Sequence, residues 1–286
     1  MFEDFRRLAH WCAVLTIVSV VAGCGGGGGD GGTPPQAPHS TPPSKVFVGD
    51  AGSIPPAAPT AAAIGSSPNS NPSPGPIAVE RIIQGPSTLL TASLKDFALD
   101  IAGDRLYVSD GRTILVFDNI STATGNIAPR VVSNCCGGPT GSGNFVGIYL
   151  DTLNDRLYAG VNINILPAAG QEIHVFHNVS SASSSPPTRT ILVNPRFLID
   201  VAVDPTKNIL YVYGLNATTA HTEIAVFDSA AALIGTATQN RTITIGESFS
   251  SGPGVGMFID PANDRLYAPR LGKSWYSTSP ARKTAT

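Results

Sequence analysis

Paired carboxylates are the most conspicuous chemistry in this chain. Asp100/Asp104, Asp151/Asp155 and Asp260/Asp264 stand four residues apart, and Asp204/Asn208 repeats the spacing. Acids so placed could ligate calcium, or divide a proton between an acid and a base. Their recurrence argues against both. A catalytic or metal centre breaks symmetry, whereas an aspartate repeated ahead of a tight turn accepts hydrogen bonds from the turn's N–H groups. These aspartates are therefore read as structural repeat residues. Arg105, Arg156 and Arg265 recur beside them and are expected to pair with a neighbouring acid.

Residues that break the repeat are few. Cys135 and Cys136 are adjacent, in Asn134-Cys135-Cys136-Gly137-Gly138. In an oxidising compartment such a pair either closes a strained vicinal disulfide or stays as two thiols, free or bonded to another molecule. No C-x-x-C spacing or nearby histidine completes a metal-ligand set around them. His174 and His177, three apart on a strand, point to opposite faces and do not share a metal. His221 stands alone, and Asp200 and Glu247 are the extra acids near the apolar strands. The sequence contains no G-x-S-x-G, H-E-x-x-H, P-loop or zinc spacing. No catalytic residue, metal or other cofactor is assigned on this reading, which leans away from an enzyme.

The elements that must position these residues are short strands. LDIAGDRLYV at 99–108 returns as LDTLNDRLYA at 150–159, VDPTKNILYV at 203–212 and IDPANDRLYA at 259–268. The tyrosines at 107, 158, 211 and 267 are 51, 53 and 56 residues apart. Each unit opens on an apolar strand ending in Asp, turns into a Leu-Tyr-Val strand, and continues to Ile114–Asp118, Ile173–His177 or Ile224–Asp228. A short fourth strand begins with arginine, at Arg81, Arg130, Arg189 and Arg241. Four short strands every fifty residues or so predict an all-β fold, a β-propeller of four-stranded blades. One blade cannot bury both of its faces, so the blades must stack.

Lys45–Asp50 matches the second strand of a unit, and the residues to 268 provide about four to five blades. Residues 51–76, rich in Pro, Ala, Ser and Asn, read as an irregular loop. After Tyr267 the Ile-x-Val-Phe-Asp pattern does not return, and 269–286 reads as an atypical tail without apolar pattern. Three arrangements fit: a small ring closed through the Phe47 strand, an open partial propeller, or a fragment of a larger one.

The D-x-x-x-D/N-x-L-Y pattern, the V-F-D/H-N/S strand and the R-x-I/V strand resemble NHL/YVTN-type bacterial propellers, a group that includes lactonase-like extracytoplasmic proteins. The resemblance covers residues 77–268. It implies the fold; for the lactonases among them it also implies a metal in the central channel held by acidic, Asn or His side chains from several blades.

The N-terminus reads as an address. Arg6 and Arg7 precede an uncharged apolar run from Trp11 to Ala22, long enough for a signal-peptide core and short for a membrane span. It ends in Val21-Ala22-Gly23-Cys24, which resembles the lipobox of bacterial lipoproteins. That resemblance implies a signal peptide at 1–23, lipidation of Cys24, and a Gly/Pro-rich tether over 24–44. Gly25 after the cysteine implies the outer membrane of a Gram-negative cell envelope, with the periplasmic or surface face left open. A net charge of -2 argues against a nucleic-acid partner. The expected function is a lipid-anchored binding or scaffold module, with a protein or small-molecule ligand on the loops at 134–144, 160–171 and 213–222. A lactonase-like or other hydrolase with a channel metal is the alternative, and a truncated remnant of a longer propeller protein is a third.

Overall fold

The structure is a computed structural model. It describes residues 13–14, 45–50, 62–68, 79–134, 143–163, 171–216, 219, 221–248, 256–270 and 273–278. The chain forms antiparallel sheets in sequence order, each a propeller blade. Blade 1 holds β1 (Ala13–Val14), β2 (Lys45–Asp50), β3 (Ala63–Pro68) and β4 (Arg81–Gln84). Blade 2 holds β5 (Leu94–Asp100), β6 (Arg105–Asp110), β7 (Thr113–Asp118) and β8 (Arg130–Asn134). Blade 3 holds β9 (Gly143–Asp151), β10 (Arg156–Ile163), β11 (Gln171–His177) and β12 (Arg189–Val193). Blade 4 holds β13 (Pro195–Asp204), β14 (Ile209–Asn216) and β15 (His221–Asp228); β16 (Gly235–Thr236) leaves for the blade 3 sheet before β17 (Arg241–Ser248) closes the blade. Blade 5 holds β18 (Phe258–Asp260), β19 (Arg265–Arg270) and β20 (Lys273–Thr278). The fold is thus an all-β propeller.

The repeated Leu-Tyr pair follows from the alternation of side chains along a strand. Leu106 packs with Ile64, Ile83 and Leu115 against blade 1, while Tyr107 packs with Phe145, Leu157 and Phe176 against blade 3. Leu157 and Tyr158 divide likewise between blades 2 and 4, and Leu210 and Tyr211 between blades 3 and 5. Among the described residues, four apolar clusters therefore bind five blades in series. Each such side chain, once buried, contributes about 1.5–3 kcal/mol.

The second acid of each turn has a backbone reason. Asp104, Asp155, Asn208 and Asp264 take φ of 53°, 50°, 56° and 51°. Asp and Asn tolerate this left-handed region better than other side chains do. Asn119, Asn178 and Ser229, which follow the third strand, have φ of 55°, 50° and 62°.

Two expectations from sequence are corrected. The stretch 51–76, expected as an irregular loop, contains β3, which pairs with β2 on one side and β4 on the other. Its local composition is poor in strand formers, but pairing on both edges and the burial of Ile64 hold it in the sheet. The stretch 269–286, expected as a tail, contains β20, which pairs with β19 in the third-strand position of blade 5. Backbone pairing does not require the Ile-x-Val-Phe-Asp pattern found in the other third strands.

A second device closes the seams between blades. The loop after each third strand reaches back to the outer strand of the preceding blade and covers its edge. Gly125 N donates to Ile82 O at 2.7 Å, and Gln84 N to Gly125 O at 3.1 Å. Ser184 N and Ser185 N donate to Val131 O and Val132 O at 2.8 and 2.9 Å. At the next seam β16 pairs in parallel with β12. The arginine opening the fourth strand grips the same loop: Arg130 Nη2 donates to Ser180 O at 3.1 Å, and Arg189 Nη1 to Leu233 O at 2.6 Å.

Candidate functional site

The first strands of the blades converge, β5 against β9, β9 against β13 and β13 against β18. Four residues before the aspartate that ends each first strand stand Asp96, Gly147, Asp200 and Gly256. Acid and glycine alternate from blade 2 to blade 5 at one structural position. A bulge aims each acid. Ladder pairing skips a residue between Leu94 and Asp96, and again between Leu198 and Asp200. Such a bulge turns the strand and frees backbone groups from the ladder.

Backbone N–H groups bind the carboxylates. Asp96 accepts from the N–H of Phe97 in its own blade and of Ile148 in the next, both at 2.8 Å. Asp200 accepts from Val201 N at 2.7 Å and from Met257 N, the corresponding residues of blades 4 and 5. The glycines make room. A Cβ on Gly147 would lie 1.7 Å from Asp200 Oδ1, and one on Gly256 would lie 3.2 Å from Asp200 Oδ2. Asn162 steadies the second bulge, accepting from Leu198 N at 2.8 Å and donating to Leu198 O at 2.7 Å.

Removal from water governs the charge of this pair. Burial raises the Asp96 carboxyl to about 7, against the two backbone donors that favour its ionised form. Burial also raises Asp200 well above the ordinary carboxylate range, and the charge of Asp96 pushes it further in the same direction. Asp200 is buried while Asp96 keeps part of its surface open to solvent. A carboxyl that changes charge near neutrality, beside a second acid whose own pKa is raised, can exchange a proton with a ligand or bind a hydrogen-bond donor.

The acids conspicuous in the sequence lie elsewhere, at the turns. Asp100 accepts from Gly103 N at 2.8 Å and pairs with Arg105 at 3.2 Å. Asp151 and Asp260 accept from Asn154 N and Asn263 N, and Asp204 from Thr206 N and Lys207 N. Asp104 and Asp155 accept from the N–H and hydroxyl of Ser121 and Ser180, and Asp264 pairs with Lys207. Cys24, Cys135 and Cys136 lie outside the described residues, and Glu247 falls in β17 where side chains are not described. Burial, together with Arg156 and Arg189, lowers the pKa of His177. His174 lies at the seam between blades 2 and 3, bonded through Nε2 to Glu172.

Asp96 was not singled out from the sequence. The signal was there: its offset from Asp100 equals that of Asp200 from Asp204, so the two share a column once the units are aligned. Among the described residues no three or more of His, Cys, Asp and Glu are grouped so as to hold a metal ion.

No family model matches the chain, and no curated protein matches it. Solved structures do. The periplasmic gluconolactonase of Pseudomonas aeruginosa matches with a TM-score of 0.52 and 14% identity, over 78% of this chain and 61% of that one. A luciferin-regenerating enzyme matches at 0.48 and 12% identity, over 78% of this chain and 64% of that one. The PQQ domain of pyranose dehydrogenase from Coprinopsis cinerea matches at 0.48 and 10% identity, over 79% and 76%. The chain spans less than two thirds of the length of the first two. Its fold is a β-propeller of the kind seen in gluconolactonases.

Proposed function

We propose that this chain is a cell-envelope binding module whose ligand engages the converging first strands at Asp96 and Asp200. The observation that carries the reading is Asp96 itself. The residue is half-buried, burial pushes its carboxyl up to about 7, and it stands beside a second acid raised well above the ordinary carboxylate range. A small polar ligand bearing hydrogen-bond donors or a positive charge complements such a pair. The lipid anchor at Cys24, and with it an outer-membrane address, is supported by the lipobox resemblance and the tether.

A second reading is hydrolysis of a sugar lactone, as the name of the Pseudomonas neighbour suggests for that protein. The value near 7 favours it, since a general base works best when its pKa lies close to the working pH. Asp96 would take the proton of the water that attacks the carbonyl carbon and return it to the ring oxygen as the ester C–O bond breaks, with Asp200 beside it.

Titration of the purified chain with gluconolactone and with a panel of organic ammonium ions, from about pH 5 to about pH 9, tests both readings. Binding whose midpoint follows Asp96, and which loses that midpoint in Asp96→Asn, supports the site. Release of the hydroxy acid distinguishes hydrolysis from binding. Binding that is indifferent to both pH and Asp96→Asn overturns the proposal.

A further inference from the structure

The two acids of the candidate site are held in different ways. In blade 2 the residue paired across the ladder with Leu94, where the bulge begins, is Asp110. Asp110 is buried and accepts from the N–H and the hydroxyl of Thr91, while Thr91 O accepts from Leu94 N at 3.3 Å. The Asp96 bulge is thus fastened within its own blade. In blade 4 the residue paired with Leu198 is Gly214, which has no side chain to offer.

Blade 3 supplies what blade 4 lacks. Asn162 of β10 is 4% exposed, and its amide meets the backbone of Leu198 as a paired strand would, accepting from Leu198 N at 2.8 Å and donating to Leu198 O at 2.7 Å. Gly160, two residues earlier, makes room for the approach: a Cβ there would lie 2.4 Å from Leu198 Cδ2. Val161, between them, packs instead in the seam with blade 2. Two residues beyond Leu198, the Asp200 carboxyl lies where a Cβ on Gly147 would strike it, and accepts from Val201 N and Met257 N.

We propose that Asn162 is a positioning residue for the site: from blade 3 it fixes the bulge at Leu198 and so holds the Asp200 carboxyl between Gly147 and Met257. The inference rests on the reading of Asp96 and Asp200 as the site. A primary amide carries acceptor and donor side by side, so it satisfies the buried N–H and C=O of one residue together. Leucine at 162 would leave both unpaired, and a buried backbone group without a partner costs enough to move the strand. A displaced strand carries its carboxyl toward water. Water favours the ionised form, so the pKa of Asp200 falls toward the ordinary range. Burial raises Asp200 first and the charge of Asp96 second; Tyr213, its ladder partner, is raised by burial and then by the charge of Asp200.

Carboxyl ¹³C NMR titration of the full chain, labelled at aspartate, tests the proposal, with Asp96→Asn and Asp200→Asn to assign the signals. Asn162→Leu, which keeps the volume and removes both hydrogen bonds, should lower the Asp200 midpoint by about one pH unit or more. Val161→Ala, on the other face of the same strand, should lower the thermal midpoint and leave the Asp200 titration where it is. In the wild-type chain the side-chain amide of Asn162 should shift with the Asp200 midpoint, a reading that decides the matter where Asn162→Leu does not fold. An Asp200 midpoint that is unchanged in Asn162→Leu, displaced equally by Val161→Ala, or invisible at the Asn162 amide overturns this inference alone. An Asp200 midpoint in the ordinary carboxylate range in the wild-type chain overturns it together with the site it serves.

Discussion

The carboxyls of Asp96 and Asp200 are raised because burial withholds water from the ionised carboxylate and two backbone donors each do not make up for it. The consequence for stability has a definite sign. An unfolded aspartate titrates near about 3.9, so between that value and about 7 the native chain binds a proton that the unfolded chain has released. Stability is then fully present at the acidic end, falls as pH rises through the window, and levels off above it. Asp200, raised in the same direction, adds a fall of the same sign. Thermal denaturation should show a midpoint that decreases from about pH 5 to about pH 8, and Asp96→Asn should flatten that slope. A midpoint that rises over the same interval would contradict the assignment. Residue type alone could not separate these two acids from the turn aspartates. Asp100 has a donor in its own turn, whereas Asp96 depends on Ile148 of the next blade.

Among the elements, the strands with a strong alternating pattern were legible. The decapeptide defines a strand, a turn and a second strand, and the structure pairs them in register from Asp100↔Arg105 to Phe97↔Val108. Strands β3 and β20 were not legible, because each is specified by the partners beside it and not by its own composition. The fourth-strand arginine was visible as a motif, but its purpose was not. Arg130 and Arg189 reach across a seam to backbone carbonyls of the loop that covers their own blade's edge. Arg189→Ala should therefore lower stability by about 1–3 kcal/mol, measured from the urea unfolding midpoint. Arg189→Lys should recover part of it, since Ala230 O and Leu233 O are both reached by the single nitrogen Nη1. Full recovery by lysine would reduce the clasp to a matter of charge.

At the scale of the molecule, five blades are joined in series by four apolar seams, and the two seams flanking blade 3 differ in chemistry. The seam with His174 carries polarity and a cavity, while the seam with Ala225 is closed by apolar side chains, Tyr158 and Phe227 among them. Fractionation of cells expressing the full chain addresses its address: the native protein should partition with the membrane, and Cys24→Ser should leave it in the soluble fraction or as unprocessed precursor. Equal partitioning of the two would remove the anchor from the proposal. The sequence by itself determined the blade. Its period, its strand order and the Leu-Tyr division between neighbouring seams are local properties, set by alternation along a strand and by turns a few residues long. Only the tertiary structure decided which acids meet. Asp96 and Asp200 belong to different blades, and their charges act on each other only because stacking brings the first strands together and places a glycine where a side chain would have filled the gap.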